Sequence, residues 1–525
     1  MAIPTNTKTK LKSRPPVVVI MGHIDHGKST LLDYIRKSNI TEKEAGGITQ
    51  HLGAYEVAHI PEEGKGGGKS GLITFLDTPG HSAFSGIRTR GASAADIAIL
   101  IVSAEDGFKP QTKEAFETIT KANIPYIVAI TKIDKPSANV EKTKMSLVEN
   151  GIYLEGLGGD IPFVPISSIT GEGVSDLLDL IILMAEMAEL KSDENVPAKG
   201  IIVEAHLDQK KGIAATLIIK EGTLSSGMYI VANDAISPIR IFENCYGRPI
   251  KEAKPGRPAT VIGFDKIPEL GSIFESFNSK KEAEKAKELA EELNKENKFR
   301  NSRSTNINDK QAEFATAGGL EKSLSVTLPL IIKADTVGSI EGIRKEMSKF
   351  PENGVVFKIL YEGVGDISET DVKTAVADPE TLLIGFNVKV DSRAGGIVER
   401  FNVKVKTWDI IYNLVEFLAN LKIDRKPKIK VEESTGILKV LQTFSKEKDK
   451  QVIGGKVQEG YIKIGSDVKI LRRDLEIGRG KIRELQQSKK RADEVAEGFE
   501  CGLLVESKIE IAYGDKIQCF ITVEK

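Results

Sequence analysis

The 525-residue chain has only three cysteines (Cys245, Cys501 and Cys519), one tryptophan, and a formal net charge of −1. The cysteines lie far apart, with neither Cys-x-x-Cys nor zinc-ligand spacing. No disulfide framework or thiolate metal site is expected, and a reducing, cytoplasmic setting is the default. No apolar run is long enough to span a bilayer, so no membrane partner is expected. With 74 basic and 75 acidic residues there is no global basic field, and nucleic acid would have to be met by local patches. Residues 1–14 carry Lys8, Lys10, Lys12 and Arg14 without an apolar stretch behind them, which is not a secretory signal. They read as a short, flexible basic arm, either a solvated tail or an RNA contact. No residue marks an oligomer interface.

What the chain does have is concentrated between Val17 and Thr30. An apolar run, Val17 to Met21, enters Gly22-His23-Ile24-Asp25-His26-Gly27-Lys28-Ser29, which fits G-x-x-x-x-G-K-[ST]. A helix-like segment, Leu31 to Lys37, follows. Gly22 and Gly27 let the backbone curl so that successive N–H groups face phosphate oxygens, and the helix adds its positive end. Lys28 would reach the terminal phosphates, and Ser29 would ligate Mg²⁺.

Further signals follow in order. Ala45 to Tyr55 holds two glycines before Thr49, a loop that nucleotide could order, with Thr49 a second Mg²⁺ ligand. The strand-like Leu72 to Leu76 runs into Asp77-Thr78-Pro79-Gly80-His81. There Asp77 suits a water-mediated Mg²⁺ contact, Gly80 lets an N–H approach the γ-phosphate, and His81 can orient water. Strands at Ile97 to Val102 and Ile124 to Ile130 flank a helix-like Thr112 to Lys121, the alternation of a parallel sheet. Thr131-Lys132-Ile133-Asp134 ends the second strand. An ionised aspartate accepts two hydrogen bonds, which guanine N1 and N2 can donate and adenine cannot. Ser167-Ser168-Ile169, after the strand Phe163 to Ile166, can bring N–H groups to guanine O6.

The expected architecture is multidomain, α/β and β. A P-loop GTPase domain (15–190) and a linker at Lys191 to Pro197 lead to a β-barrel (198–277). A solvated charged helix and linker (278–322) come next. A small α/β domain (323–407), a connecting helix (408–426) containing Trp408, and a second β-barrel (427–525) complete the chain. The barrels rest on a repeat. Glu221 to Val231 is echoed by Glu459 to Ile470, and Leu270 to Phe274 by Tyr513 to Ile517. Gly338-Ser339 after Asp335 reads as a structural turn rather than an anion site.

On these motifs the chain resembles the translational GTPases, most closely the bacterial translation initiation factor two family. The likeness extends through Ile331 to Asp335, Gly363 to Ile367, Ile384 to Val388 and Gly498 to Gly502, from about Pro15 to the end, without the long N-terminal extension many members carry. It implies a GTP- and Mg²⁺-dependent factor that brings initiator (formylmethionyl) tRNA to the small ribosomal subunit and promotes subunit joining. The family prior is a monomer. By the same likeness His81 is the catalytic histidine, and Ile24 and Ile48 form an apolar gate beside it. Thr131 stands where the family has asparagine, and Ser168 where it has alanine. In the last barrel, which in the family binds the acyl end of initiator tRNA, Glu500, Cys501 and Gly502 match. Gly455 replaces a cysteine there, and Gln486-Gln487 replace a Lys-Arg pair, with Lys489, Lys490 and Arg491 close by. Other readings are another translational GTPase, a P-loop ATP-using transferase, which Asp134 opposes, and a GTP-regulated RNA-binding scaffold with weak hydrolysis.

Overall fold

The computed structural model describes residues 11–37, 49–60, 70–294, 326–351, 354–426, 430–488 and 490–524. The chain divides into two compact units, residues 1–425 and 426–525.

The first unit is built on a six-stranded sheet ordered Gly53–His59, Gly71–Asp77, Val17–Gly22, Ile97–Ser103, Tyr126–Thr131, Phe163–Pro165. All neighbours are parallel except the first pair. Val17–Gly22 and Ile97–Ser103 are buried along their whole length, as unbroken apolar strands inside a helix-covered sheet must be. The segments after Gly22, Asp77, Thr131 and Pro165 leave carboxyl ends of parallel strands, where open α/β sheets bind ligands.

A seven-stranded antiparallel sheet follows, running from Ala235–Pro238 to Ile241–Glu243. Its first strand is tied back by the Asp265 N–H, which donates to the Ile236 carbonyl at 3.0 Å. The described part of the charged helix, residues 280–294, is less solvated than expected. Ala283 is buried, and Lys287 pairs with Asp265 at 2.5 Å. Residues 295–325 lie outside the described residues. A parallel four-stranded sheet ordered Val355–Val364, Val326–Ala334, Leu382–Phe386, Lys404–Trp408 completes the α/β part. One apolar core runs through all three sheets, including Leu100, Ile218, Leu330, Ile384 and Leu414.

Three local expectations need correction. The end of the basic arm is anchored, since Lys12–Ser13 pairs antiparallel with Lys191–Ser192 of the supposed linker. Arg14 also holds Asp96 with two bonds, of 2.6 and 2.8 Å. Residues 1–10 lie outside the described residues. The connecting helix is Ile411–Asp424, not a helix from Trp408, which ends a strand and packs on Phe417. Its apolar stripe, Ile411, Leu414 and Leu418, is buried in the first unit's core.

The second unit is a closed barrel. Around it run Lys430–Glu447, Lys516–Glu524, Asp467–Arg472, Leu475–Gln487, Glu500–Ser507 and Lys450–Lys463, which pairs with the first. The repeat reappears as register. Tyr229, Ile230, Val231 and Ala232 oppose Phe277, Ser276, Glu275 and Phe274. The matching Asp467, Val468, Lys469 and Ile470 oppose Phe520, Cys519, Gln518 and Ile517. Each pair of segments thus forms the same antiparallel ladder, residue for residue.

Asp96 is the junction between the arm, the central sheet and the barrel. It accepts from Arg14, from the Val17 N–H at 2.9 Å and from Lys220 at 2.8 Å. Burial alone would raise its pKa, but the Arg14 hydrogen bond and the Lys220 charge hold it below the ordinary value. Asp96→Ala strands two cations and is expected to destabilise the first unit by about 3 kcal/mol in urea unfolding. Because the folded pKa is depressed, this contribution is complete above the unfolded carboxylate value and is lost as pH falls through the folded one.

Candidate nucleotide-binding and hydrolysis site

Gly27 adopts φ 89°, a left-handed conformation that suits glycine, and caps the helix Lys28–Arg36 without any side-chain cap bond. That helix has no acidic residue in its first turn. Its N-terminus therefore presents N–H groups and the positive dipole end without a built-in anion. Lys28, the first helical residue, is buried, and its ammonium donates to the carbonyls of Gly22 (3.1 Å) and His23 (2.5 Å). Burial lowers its pKa, against the opposing pull of Asp77. Around it opens a cavity of about 140 Å³ lined by Ile24, Asp25, Gly27, Lys28, Ser29, Thr30, Thr49, Gly80, His81, Phe84 and Tyr412.

Three oxygen donors converge beside Lys28. The Ser29 and Thr49 hydroxyls are 2.8 Å apart, and Thr49 Oγ1 is 3.5 Å from Asp77 Oδ2. Two hydroxyls and a carboxylate are a donor set for a hard divalent cation such as Mg²⁺. Gly80 closes the other wall, where a Cβ would come within 2.6 Å of the Lys28 ammonium and 3.2 Å of the Ile24 N. His81 caps a short 3₁₀ turn, its Nδ1 accepting the Ala83 N–H at 2.9 Å. Burial lowers the His81 pKa, with nearby Glu346 opposing, so the ring is neutral at pH 7 with its proton on Nε2.

The base-side residues are tied to this loop. Thr131 Oγ1 donates to the His26 carbonyl at 2.6 Å, and Ser167 Oγ donates to Asp134 at 2.6 Å. Lys132 stands near Glu105 at 3.8 Å, and Ile169 is exposed. The Ser168 hydroxyl is buried with no hydrogen-bond partner among the described residues. His26 faces the sheet rather than the cavity. It is buried, its Nδ1 accepts from the Ser103 N–H, and burial pushes its pKa to about 3. Ile48 lies outside the described residues, so only Ile24 of the expected gate is seen.

Sequence reasoning missed four supports. Arg88 is buried and donates to the carbonyls of Pro79, Gly80 and His81 while pairing with Glu114 at 2.5 Å. Gln111 accepts the Ile24 N–H at 3.0 Å. Gln50 bonds the start of the helix at Ile411, and Tyr412 meets His81. Nothing short of the fold identifies these: Arg88, Gln111 and Tyr412 lie outside the recognised motifs, and Gln50, inside the Ala45 to Tyr55 stretch, gives no sign of its distant partner.

In the second unit, Gly455 lies opposite Cys501, Lys456 opposite Glu500, and Gln486 opposite Gly502, on three adjacent strands. Gln486 and Glu500 are exposed and Gln487 is half-buried, but Cys501 faces the barrel core, where burial pushes its thiol up to about 11. A Cβ on Gly455 would meet Leu438 at 2.4 Å.

Residues 13–187 match the Elongation factor Tu GTP binding domain, 197–277 the Elongation factor G domain 2, and 298–419 the family Translation-initiation factor 2. The chain is 41% identical over 516 residues, 98% of its length, to a Translation initiation factor IF-2 of a Nitratiruptor species. Domain by domain and over nearly its whole length, the chain is thus similar to translation initiation factor IF-2. It spans 59% of the length of that relative. Among solved structures it is similar to GDP-bound aIF5B from Aeropyrum pernix, with TM-score 0.44 and 25% identity, covering 97% of this chain and 92% of that one. A bacterial selenocysteine-specific elongation factor, EF-Sec, follows with TM-score 0.40 and 23% identity over 50% of this chain and 45% of that one. Among the described residues, no helix is long and apolar enough to cross a membrane.

Thr131→Val keeps the shape but removes the bond to the His26 carbonyl. It is expected to cost roughly 1–2 kcal/mol in denaturant unfolding and to speed amide exchange across residues 22–28.

Proposed function

We propose that this chain is a GTP-hydrolysing translation initiation factor that acts on the ribosome with initiator tRNA. The observation that carries the reading is the convergence of Lys28, Ser29, Thr49, Gly80 and His81 on one cavity, with Asp77 behind Thr49 and Asp134 just past the end of a neighbouring strand. Lys28 holds the terminal phosphates, and the Gly80 N–H meets the γ-phosphate. Ser29 and Thr49 would hold Mg²⁺, with the Asp77 carboxylate beside them. When bound, the cation neutralises charge on the phosphate oxygens. His81, neutral and carrying its proton on Nε2, orients a water in line with the γ-phosphorus. The new bond forms from the water oxygen to phosphorus as the bridging bond to the β-phosphate breaks, giving GDP and inorganic phosphate. Asp134 accepts from guanine N1 and N2, and the Ser167 hydroxyl fixes its carboxylate. The backbone N–H groups of Ser168 and Ile169 reach guanine O6. The outer face of the second barrel, with Gln486, Glu500 and Gly502, receives the acyl end of the tRNA, with Gln487 half-buried at the strand's end beside it. The factor works as a cytoplasmic monomer.

The test is GTP hydrolysis with and without assembled ribosomes. Ribosomes stimulate the wild type strongly and leave His81→Ala near its resting rate. Equal turnover in the two proteins would favour a GTP-regulated scaffold. Asp134→Asn exchanges an acceptor for a donor, so GTP affinity falls by more than about tenfold and xanthosine triphosphate gains, read by competition binding. Binding of formylated against unformylated initiator tRNA reads the second barrel.

A further inference from the structure

The first turn of the Ile411–Asp424 helix touches both segments that flank the phosphate end of the cavity. Tyr412 meets the His81 ring edge-on, with centroids 4.5 Å apart and planes at 78°. It also lines the same cavity as Lys28, Ser29 and Thr49. One residue after Thr49, the Gln50 amide donates to the Asp409 carbonyl at 2.8 Å and accepts the Ile411 N–H at 3.3 Å. Among the described residues, Phe84, with ring centroids 6.2 Å apart, and Glu346, with Oε1 4.0 Å from Nδ1, also stand against His81. Lys349 neutralises Glu346 at 2.6 Å, and Arg88 holds the His81 carbonyl from the other side. Of the two aromatic walls, Phe84 belongs to the histidine's own segment and moves with it. Tyr412 belongs to a helix far along the chain, so its contact depends on where that helix lies.

We propose that Tyr412 is a positioning residue for hydrolysis: its ring holds His81 in a resting orientation, and displacement of the Ile411–Asp424 helix releases it. The inference rests on His81 orienting water as read above. An edge-on ring pair restrains the imidazole without locking it, and Nδ1 is already occupied by the Ala83 N–H. Because Gln50 grips the same turn of helix, one displacement loosens the Thr49 segment and the His81 ring together. The hydrolytic geometry thereby reports the position of the Ile411–Asp424 helix.

The test is single-turnover GTP hydrolysis without ribosomes. Tyr412→Ala is expected to raise the rate roughly three- to tenfold, the scale of one lost ring contact. Tyr412→Phe keeps the ring edge and returns the rate to that of the wild type, and Tyr412→Leu, which keeps apolar volume, behaves like alanine. In a His81→Ala background, Tyr412→Ala adds nothing. An unchanged rate in both Tyr412→Ala and Tyr412→Leu overturns the proposal, as does an equal rise in the His81→Ala background. If His81→Ala alone keeps full ribosome-stimulated turnover, the role of His81 fails first, and that result is visible before Tyr412 is touched.

Discussion

The structure turns on a cation taken out of water at the wrong end of a helix. The Lys28 ammonium is buried at the first position of Lys28–Arg36, where the dipole already places positive charge. Two carbonyls satisfy part of its hydrogen bonding, and Asp77 supplies part of the counter-charge. Arg88 lies close enough to oppose it electrostatically. Such a site is costly when it holds no anion and favourable when a polyphosphate supplies the missing charge. Gly80 follows from the same constraint, because the ammonium occupies the space a side chain there would need.

Around this centre the rest of the first unit acts as a buttress. Lys345 donates to the Ser82 carbonyl at 2.7 Å and to the Ser85 hydroxyl, and Glu341 pairs with Arg90 at 2.6 Å. The helix Val337–Ser348 approaches so closely that a Cβ at Gly342 would enter the Phe84 ring. The segment carrying His81 is therefore held by its own helix, by a second α/β layer and by the Ile411–Asp424 helix. A loop fixed from three sides can change only when one of those sides moves, which is how packed elements turn small displacements into two-state behaviour.

The phosphate loop, the strand alternation and the paired barrels were legible because each is written in consecutive residues. Gly22 to Ser29 is a local backbone requirement, Ile97 to Val102 a local apolar run, and the barrel repeat a local pattern that forces the same register twice. The arm and the linker were not legible, since Lys12 and Lys191 read separately as solvated charge and become a strand pair only across the fold. Arg88 was missed for a related reason. A buried arginine in a helix looks like any surface arginine until three carbonyls converge on it. The helix start was misplaced because Trp408 has the spacing of the apolar stripe that follows, while a parallel neighbour, Phe386, claims it for a strand.

The second barrel shows how far residue matching carries on its own. Successive residues of a strand face opposite sides of the sheet, so Glu500 and Gly502 share one face and Cys501 the other. Cys501 belongs to the core with Leu503 and Val505, directly across from Gly455. Leu438 fills the space that a side chain at 455 would take. A side chain at 455 would therefore have to repack the barrel interior, whereas Gln486 belongs to the exposed surface that Glu500 and Gly502 share. A substitution at Gln486 would thus alter what the outer face can hold without touching the barrel that carries it, whereas Gln487, the next residue along the strand, is half-buried.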